Sequence, residues 1–308
     1  MSHAERARAG ALPERAVWID GAVLRGSDAA LSVFDRGARD GEGIFETLRA
    51  YDGLLFRWER HLERLVLSAA ELGFPVPPSP ATLREAVALV LDANRLTDAA
   101  IRITVTRGVP SAGRGRRTRA GAWVEAEALG ARLWAGTRSG GARVVLSKRP
   151  FAPGPLARHK TTSRLAYHLA REEARAARAD EALLVSPEGL LLEGSVSNLF
   201  AVIEGAVWTP PVSLGILPGI AREVVLALGP SVGLRIEEGP VPADALGAAE
   251  ELFLTNSIQE VVPISSVDGR SLPSSSVGTS LLTAYRDEVD RMRASAAAHE
   301  RESAHRAR

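Results

Sequence analysis

Apolar and polar residues alternate in the first ordered stretches of the chain, and then the period changes. "AVWIDGAVL" predicts two short strands about an Asp-Gly turn, and "GIFETLRAYDGLLFRW" repeats the pattern about Asp52-Gly53. Leu62, Leu65, Val66, Ala69 and Leu72 then recur at helical spacing and predict a helix over 59–72; Leu83, Val87, Val90 and Leu91 predict another over 80–93. Strands near 100–107 and 121–127 complete this half. Periodicity is lost in the Gly-rich "ALGARLWAGTRSGGARV", which places an interdomain connection at 130–142. There follow a strand at 143–149, an irregular Pro-Gly stretch ending at Lys160, a helix over 163–178, paired strands within 182–193 and 198–209, and a helix over 219–228 after "LPG". A strand, a short helix, the strand "ELFLTNS", a turn and a helix over 275–291 finish the pattern. Residues 1–15 and 293–308 carry no apolar stripe wide enough to pack and are expected to be disordered tails. Hairpins interspersed with helices predict an α+β fold, with a small N-terminal domain over 16–129 and a larger C-terminal domain over 143–292.

Composition narrows the function. At 308 residues and 45% hydrophobic content the chain can bury two cores. A net charge of +1 provides no bulk field for nucleic acid or an anionic membrane, so small-molecule chemistry is expected. The absence of cysteine excludes disulfides, thiolate nucleophiles and cysteine-ligated metals, and the six histidines form no metal-binding motif. No apolar run approaches the roughly 20 residues of a membrane helix, and "MSHAERARAG" lacks a signal-peptide core, so a cytoplasmic protein is expected.

The basic residues are skewed: of 38 Lys plus Arg, only Lys148 and Lys160 are lysine. Arginine serves salt bridges and surface charge as well as lysine does, but it cannot give up its proton near neutral pH, so a nucleophilic amine must come from lysine. Lys148, in "ARVVLSKRP", reads as a chance survivor. Lys160 sits at a loop–helix junction, as an exposed loop lysine or as such an amine. Glu193 ends the apolar strand "GLLLEG" ahead of Ser195, Ser197 and Asn198; a carboxylate there needs an arginine or a protonated ring nitrogen as partner. Pro218-Gly219 leads straight into a helix, so the N–H groups of Ile220 and Ala221 form a candidate anion site.

"DRGARDGEGIFETLRAYDGLLFRWERHLERL", "HKTTSRL", "LLEGSVSNLF", "GILPGIARE" and "ELFLTNSIQEVVPI" resemble, in order and spacing, the motifs of the class IV (fold-type IV) pyridoxal-phosphate enzymes over about residues 17–290. These include branched-chain aminotransferases, D-amino acid aminotransferases and 4-amino-4-deoxychorismate lyases. The resemblance implies a two-domain fold with a barrel-like sheet in the larger domain, pyridoxal 5′-phosphate as cofactor, amino and oxo acids as substrates, and a homodimer. It makes Lys160 the lysine of the cofactor aldimine, Glu193 the partner of the pyridine nitrogen, and Arg57, Ile220, Ala221 and Ser257 the phosphate contacts. Ala221 stands where threonine is frequent, and Ser163 where asparagine is common. On the substrate side it implicates Phe45; Arg114, in "VPSAGRGRR", as the carboxylate-binding candidate; and Arg102 as the second choice. Asp40 stands where branched-chain enzymes carry tyrosine, and an acid there repels a substrate carboxylate unless an arginine compensates. The run "GRG" and the "TNS" of the last motif resemble the lyases, which expel pyruvate in folate biosynthesis, so lyase and aminotransferase both stand as readings. A catalytically inactive relative is disfavoured because Lys160 and Glu193 are both present.

Overall fold

Both Asp-Gly pairs close hairpins. β1 (Ala16–Ile19) pairs with β2 (Ala22–Arg25) and β3 (Gly43–Tyr51) with β4 (Leu54–Leu55); Asp20, Gly21, Asp52 and Gly53 all have positive φ, as a type I′ turn demands. The computed structural model describes residues 15–110 and 119–306. The chain divides into two units, one running to Arg132 and including Lys160–Ser163, the other made of Leu133–His159 and the residues from Arg164 onward.

In the first unit β5 (Ala99–Thr106) and β6 (Gly121–Ala128) complete a six-stranded antiparallel sheet of order β2-β1-β6-β5-β3-β4. Alternation sends Ile44, Leu48, Ile101, Ile103, Val105, Val124 and Ala126 into a core shared with α2 (Trp58–Glu71) and α3 (Pro80–Asn94). Ser79 caps α3 by accepting from the Thr82 N–H, and Pro80 takes the first position, where no N–H is needed. The short α1 (Arg36–Asp40) is capped by the buried Asp35, which accepts from Gly37 N–H. Val66, expected on the buried stripe of α2, is 43% exposed; it lies about 100° round the helix from Leu65 and misses the stripe of Leu62, Leu65 and Ala69.

The Lys160 segment departs from the expected boundary at 143. β4 covers only the Ala50–Tyr51 end of β3, and the other end of that edge, at Gly43–Phe45, pairs with Lys160–Thr162. Phe45 N–H donates to the Lys160 carbonyl at 2.8 Å, and Thr162 N–H to the Gly43 carbonyl at 2.8 Å. An open strand edge thus recruits a segment from far along the sequence to satisfy its backbone.

The second unit contains α4 (Ala135–Ser139), β7 (Ala142–Leu146), α5 (Leu165–Ala176), β8 (Glu181–Val185), β9 (Leu190–Gly194), β10 (Asn198–Ile203), β11 (Ala206–Thr209), α6 (Ile220–Leu228), β12 (Ile236–Glu238), β13 (Val241–Pro242), β14 (Glu251–Asn256), β15 (Glu260–Val267), β16 (Arg270–Ser271) and α7 (Ser276–Arg306). The sheet order is β12-β11-β10-β14-β15-β7-β8-β9-β13. An added bridge from Glu193 in β9 to Asn198 in β10 closes six of these strands into a ring, the expected barrel-like sheet. Its core holds Val144, Leu183, Leu191, Leu199, Leu254 and Ile264.

Four local expectations are corrected here. The 130–142 connection contains α4. The helix expected from Ser163 begins at Leu165, because Ser163 belongs with the first unit and its Oγ donates to the Gly41 carbonyl. β15 was not expected: Pro263 argues against a central strand, yet it faces Phe253 of β14, and pairing with β7 begins only at Ile264, where the ladder is irregular. The helix expected to end at 291 runs to Arg306 in place of a tail, since the run "RASAAAHERESAHR" is rich in helix formers and has no breaker. No helix among the described residues is long and apolar enough to cross a membrane.

Candidate active site

In the second unit the ring closure is also a cluster of polar side chains. Glu193, 5% exposed, accepts from Asn198 Nδ2 at 3.3 Å, from the Leu217 N–H at 3.1 Å and from the Tyr167 hydroxyl at 3.3 Å. Asn198 Nδ2 also donates to the Leu217 carbonyl at 2.9 Å, so one amide ties the carboxylate to the segment just before Pro218-Gly219. Burial and the neighbouring Glu193 charge push the Tyr167 phenol well up, so it stays a donor. Behind the carboxylate, the fully buried Glu181 accepts from Ser195 Oγ, Val196 N–H and Ser197 Oγ at 2.5, 3.0 and 3.0 Å and so moulds the β9–β10 turn. Gly194 lets that turn tighten, because a Cβ there would lie 2.2 Å from Ser197 Oγ.

Gly219 is the N-cap of α6 and, having no side chain, cannot itself cap the helix. The first N–H groups of the helix, those of Ile220 and Ala221, therefore keep the anion-binding character of a helix start. A Cβ on Gly219 would lie 1.9 Å from Asn198 Oδ1, so only glycine allows Asn198 and the helix start to approach this closely. Asn198 stands opposite Thr255 of β14, whose buried Oγ1 has no hydrogen-bond partner among the described residues. Ser257 follows in the turn after β14, where Asn256 Oδ1 accepts from the N–H groups of Ile258 and Gln259.

In the first unit one ring gathers three of the candidates. Phe45, on the face of β3 away from the core, has the Lys160 ammonium 4.8 Å and the Arg102 guanidinium 3.7 Å from its centroid. Arg102 Nε donates to Thr104 Oγ1 at 3.2 Å, and Glu125 lies 3.7 Å away. Arg57, at φ 53, is the left-handed N-cap of α2, with its guanidinium 5.4 Å from the Phe56 ring. Asp40 stands apart at the exposed end of α1 and pairs with Arg36 at 3.6 Å, so an arginine does offset its charge. Lys148 is exposed and lies beyond the end of β7. Arg114 falls outside the described residues.

The sequence reading missed Tyr167, Glu181 and Thr255, and also a buried cluster of Glu46, His61 and Arg64 in the first unit. Glu46 was findable: it is an acid at an apolar position of a strict alternation.

Each unit by itself holds groups with the chemistry for part of a phosphorylated pyridine aldehyde. In the second, the start of α6 beside a glycine that tolerates no Cβ suits a phosphate and Glu193 a protonated ring nitrogen; in the first, Lys160 carries an amine, the kind of group an aldehyde takes. Residues 43–267 match the family described as amino-transferase class IV. The chain belongs to this family of pyridoxal-phosphate-dependent aminotransferases. It is 35% identical over 263 residues to a Methanocaldococcus jannaschii protein named "Putative branched-chain-amino-acid aminotransferase", covering 85% of this chain and 91% of that one. It is 31% identical to the D-alanine aminotransferase of Bacillus licheniformis, covering 85% and 92%. Among solved structures it resembles the branched-chain aminotransferase of the thermophilic archaeon Thermoproteus uzoniensis with norvaline, at a TM-score of 0.79 and 30% identity, covering 88% of this chain and 93% of that one.

Proposed function

We propose that this protein transfers the amino group of an amino acid to a 2-oxo acid, with pyridoxal 5′-phosphate attached through Lys160 and working as a homodimer. The observation that carries the reading is that one buried amide, Asn198, bonds both the Glu193 carboxylate and the Leu217 carbonyl that leads into the start of α6. The cofactor, when bound, would supply a protonated pyridine ring able to take up the electron pair of a broken Cα–H bond.

Each protein group then has a defined task. The amine of Lys160 takes the proton from the substrate Cα and returns it elsewhere, which no arginine can do. The Glu193 carboxylate holds a proton on the ring nitrogen, and the Leu217 N–H and Asn198 amide keep it aimed. Ile220 and Ala221 N–H, Ser257 and Arg57 bind the phosphate. Arg102, steadied by Phe45 and Thr104, is the carboxylate-binding candidate within the described residues. The named relatives act on branched-chain amino acids and D-alanine, which supports an aminotransferase over a lyase and frames the substrate panel.

The test has two parts. The purified chain with pyridoxal phosphate is expected to show a visible absorption band that Lys160→Ala and Lys160→Arg both abolish. It is also expected to aminate 2-oxoglutarate or pyruvate from members of a panel of L- and D-amino acids. A band unchanged in Lys160→Arg sinks the assignment of the lysine. Conversion of aminodeoxychorismate to 4-aminobenzoate and pyruvate, with the amino-acid panel silent, transfers the function to the lyase.

A further inference from the structure

An ionic cluster buried in the first unit takes no part in the chemistry above. The core-facing residues of β3 are Ile44, Leu48 and Ala50, with one exception, Glu46, which is 1% exposed. Its carboxylate takes both arms of the Arg64 guanidinium from α2, Nε at 2.7 Å and Nη2 at 2.6 Å. The 1%-exposed ring of His61, also on α2, puts Nδ1 2.8 Å from Glu46 Oε2. Burial alone would raise the Glu46 carboxyl, but the Arg64 charge and the bonds from Arg64 and His61 bring it down to about 2. Burial lowers His61 from its ordinary range, with the nearby Arg64 and Lys160 charges adding to the effect. Near neutral pH the cluster is therefore a carboxylate, a guanidinium and a neutral imidazole.

Apolar residues of the same volume often stabilise a core as well as a buried ion pair does. What they do not supply is direction: a bidentate fork fixes one position and one angle between the elements it joins, whereas apolar faces slide. Both elements joined here carry proposed cofactor contacts. His61 N–H donates to the Arg57 carbonyl at 3.2 Å, so His61 sits one turn above Arg57 and closes the helix onto it. Glu46 adjoins Phe45, whose N–H holds the Lys160 carbonyl at 2.8 Å. We infer that Glu46, His61 and Arg64 are positioning residues that set the start of α2, with Arg57, against the strand edge that carries Lys160. They thereby fix how far from the attachment amine the site accepts a phosphate. The inference rests on the roles proposed for Arg57 and Lys160.

The test separates positioning from stability. Glu46→Gln keeps the shape and removes the charge; Arg64→Lys keeps the charge and removes the fork. For the full chain and each variant, freed of cofactor, the affinities for pyridoxamine 5′-phosphate and for pyridoxamine are measured by calorimetry, alongside thermal unfolding. Neither probe bonds covalently to lysine, and they differ only in the phosphate. The expected result is a loss of about tenfold or more in preference for the phosphorylated probe, with the affinity for pyridoxamine little changed. Equal losses for both probes, or lowered thermal stability with the preference intact, make the cluster merely structural and overturn the inference. If Glu46→Gln does not fold, Arg64→Lys decides; failure of both to fold also marks the cluster as structural. Arg57→Ala is the separate arm: an unchanged phosphate preference there shows that the reading of Arg57 has failed, whatever the cluster variants do.

Discussion

Replacing Glu181 by glutamine changes one atom at the centre of the β9–β10 turn, and the hydrogen-bond geometry dictates the cost. Oε1 accepts from Ser195 Oγ and from the Ala182 N–H at 2.9 Å; Oε2 accepts from Ser197 Oγ and from the Val196 N–H. In either orientation the new amide sets its NH2 group against a backbone N–H. The serine hydroxyls can rotate to accept, but a backbone N–H cannot. One buried donor is left stranded, at about 1–3 kcal/mol, and the remaining bonds lose their charge assistance at about 1 kcal/mol each. The sum for Glu181→Gln is about 4–6 kcal/mol, at or slightly above the usual cost of breaking a buried charge network. Amide hydrogen exchange of Ala182 and Val196 reads the loss at whichever N–H is stranded, and urea unfolding reads how much of it the whole second unit shares. Because this turn joins Glu193 to Asn198, kcat should fall with it. A change below about 1 kcal/mol at both Ala182 and Val196 would mean that the stranded N–H finds another acceptor, and it would refute the claim that Glu181 shapes the turn.

Gly219→Ala is a steric test: Gly219 has φ −72, which alanine adopts without strain, so the 1.9 Å approach of its Cβ to Asn198 Oδ1 is the only insult. Cofactor affinity should drop as Asn198 is displaced, by about 1–3 kcal/mol; affinity equal to that of the parent chain removes Gly219 from the site. Glu193→Gln should still bind cofactor but abstract the substrate Cα proton much more slowly, and an unchanged single-turnover rate would leave Glu193 a purely structural acid. The first unit should be acid-labile. His61 is lowered from 6.5 and Glu46 from 4.5 to about 2, so for both groups the unfolded chain takes up protons first. The stability they contribute is present above pH 6.5, and falls from there through the Glu46 window, with about 3 kcal/mol from Glu46 alone. Thermal unfolding between pH 7 and about 2 checks this, and a melting temperature that is flat or rises on acidification contradicts it.

Local pattern settled a good deal of this protein. The period of apolar residues determined α2, α3, the hairpin strands and α6, because each buries one face against a neighbour and the face is written at fixed spacing. Composition reduced the candidate amines to Lys148 and Lys160, since arginine, used elsewhere, cannot give up its proton. Glu193 and the Pro218-Gly219 helix start were legible for the same reason: a charged or uncapped group at the end of an apolar element asks for a partner.

The identity of those partners was decided only by the tertiary structure. Asn198 belongs equally to the carboxylate and to the helix start because ring closure sets β9 beside β10 and leaves no room for a Cβ at Gly219. Lys160 joins the first unit, against its place in sequence, because the Gly43–Phe45 edge of β3 needs a partner. Glu46 in isolation looks like a flaw in an alternating strand; it becomes intelligible once α2 lays His61 and Arg64 over it. Periodicity records which face of an element is buried, a property of neighbours in the chain. Pairing of buried polar groups is a property of neighbours in space, and only the fold brings those together.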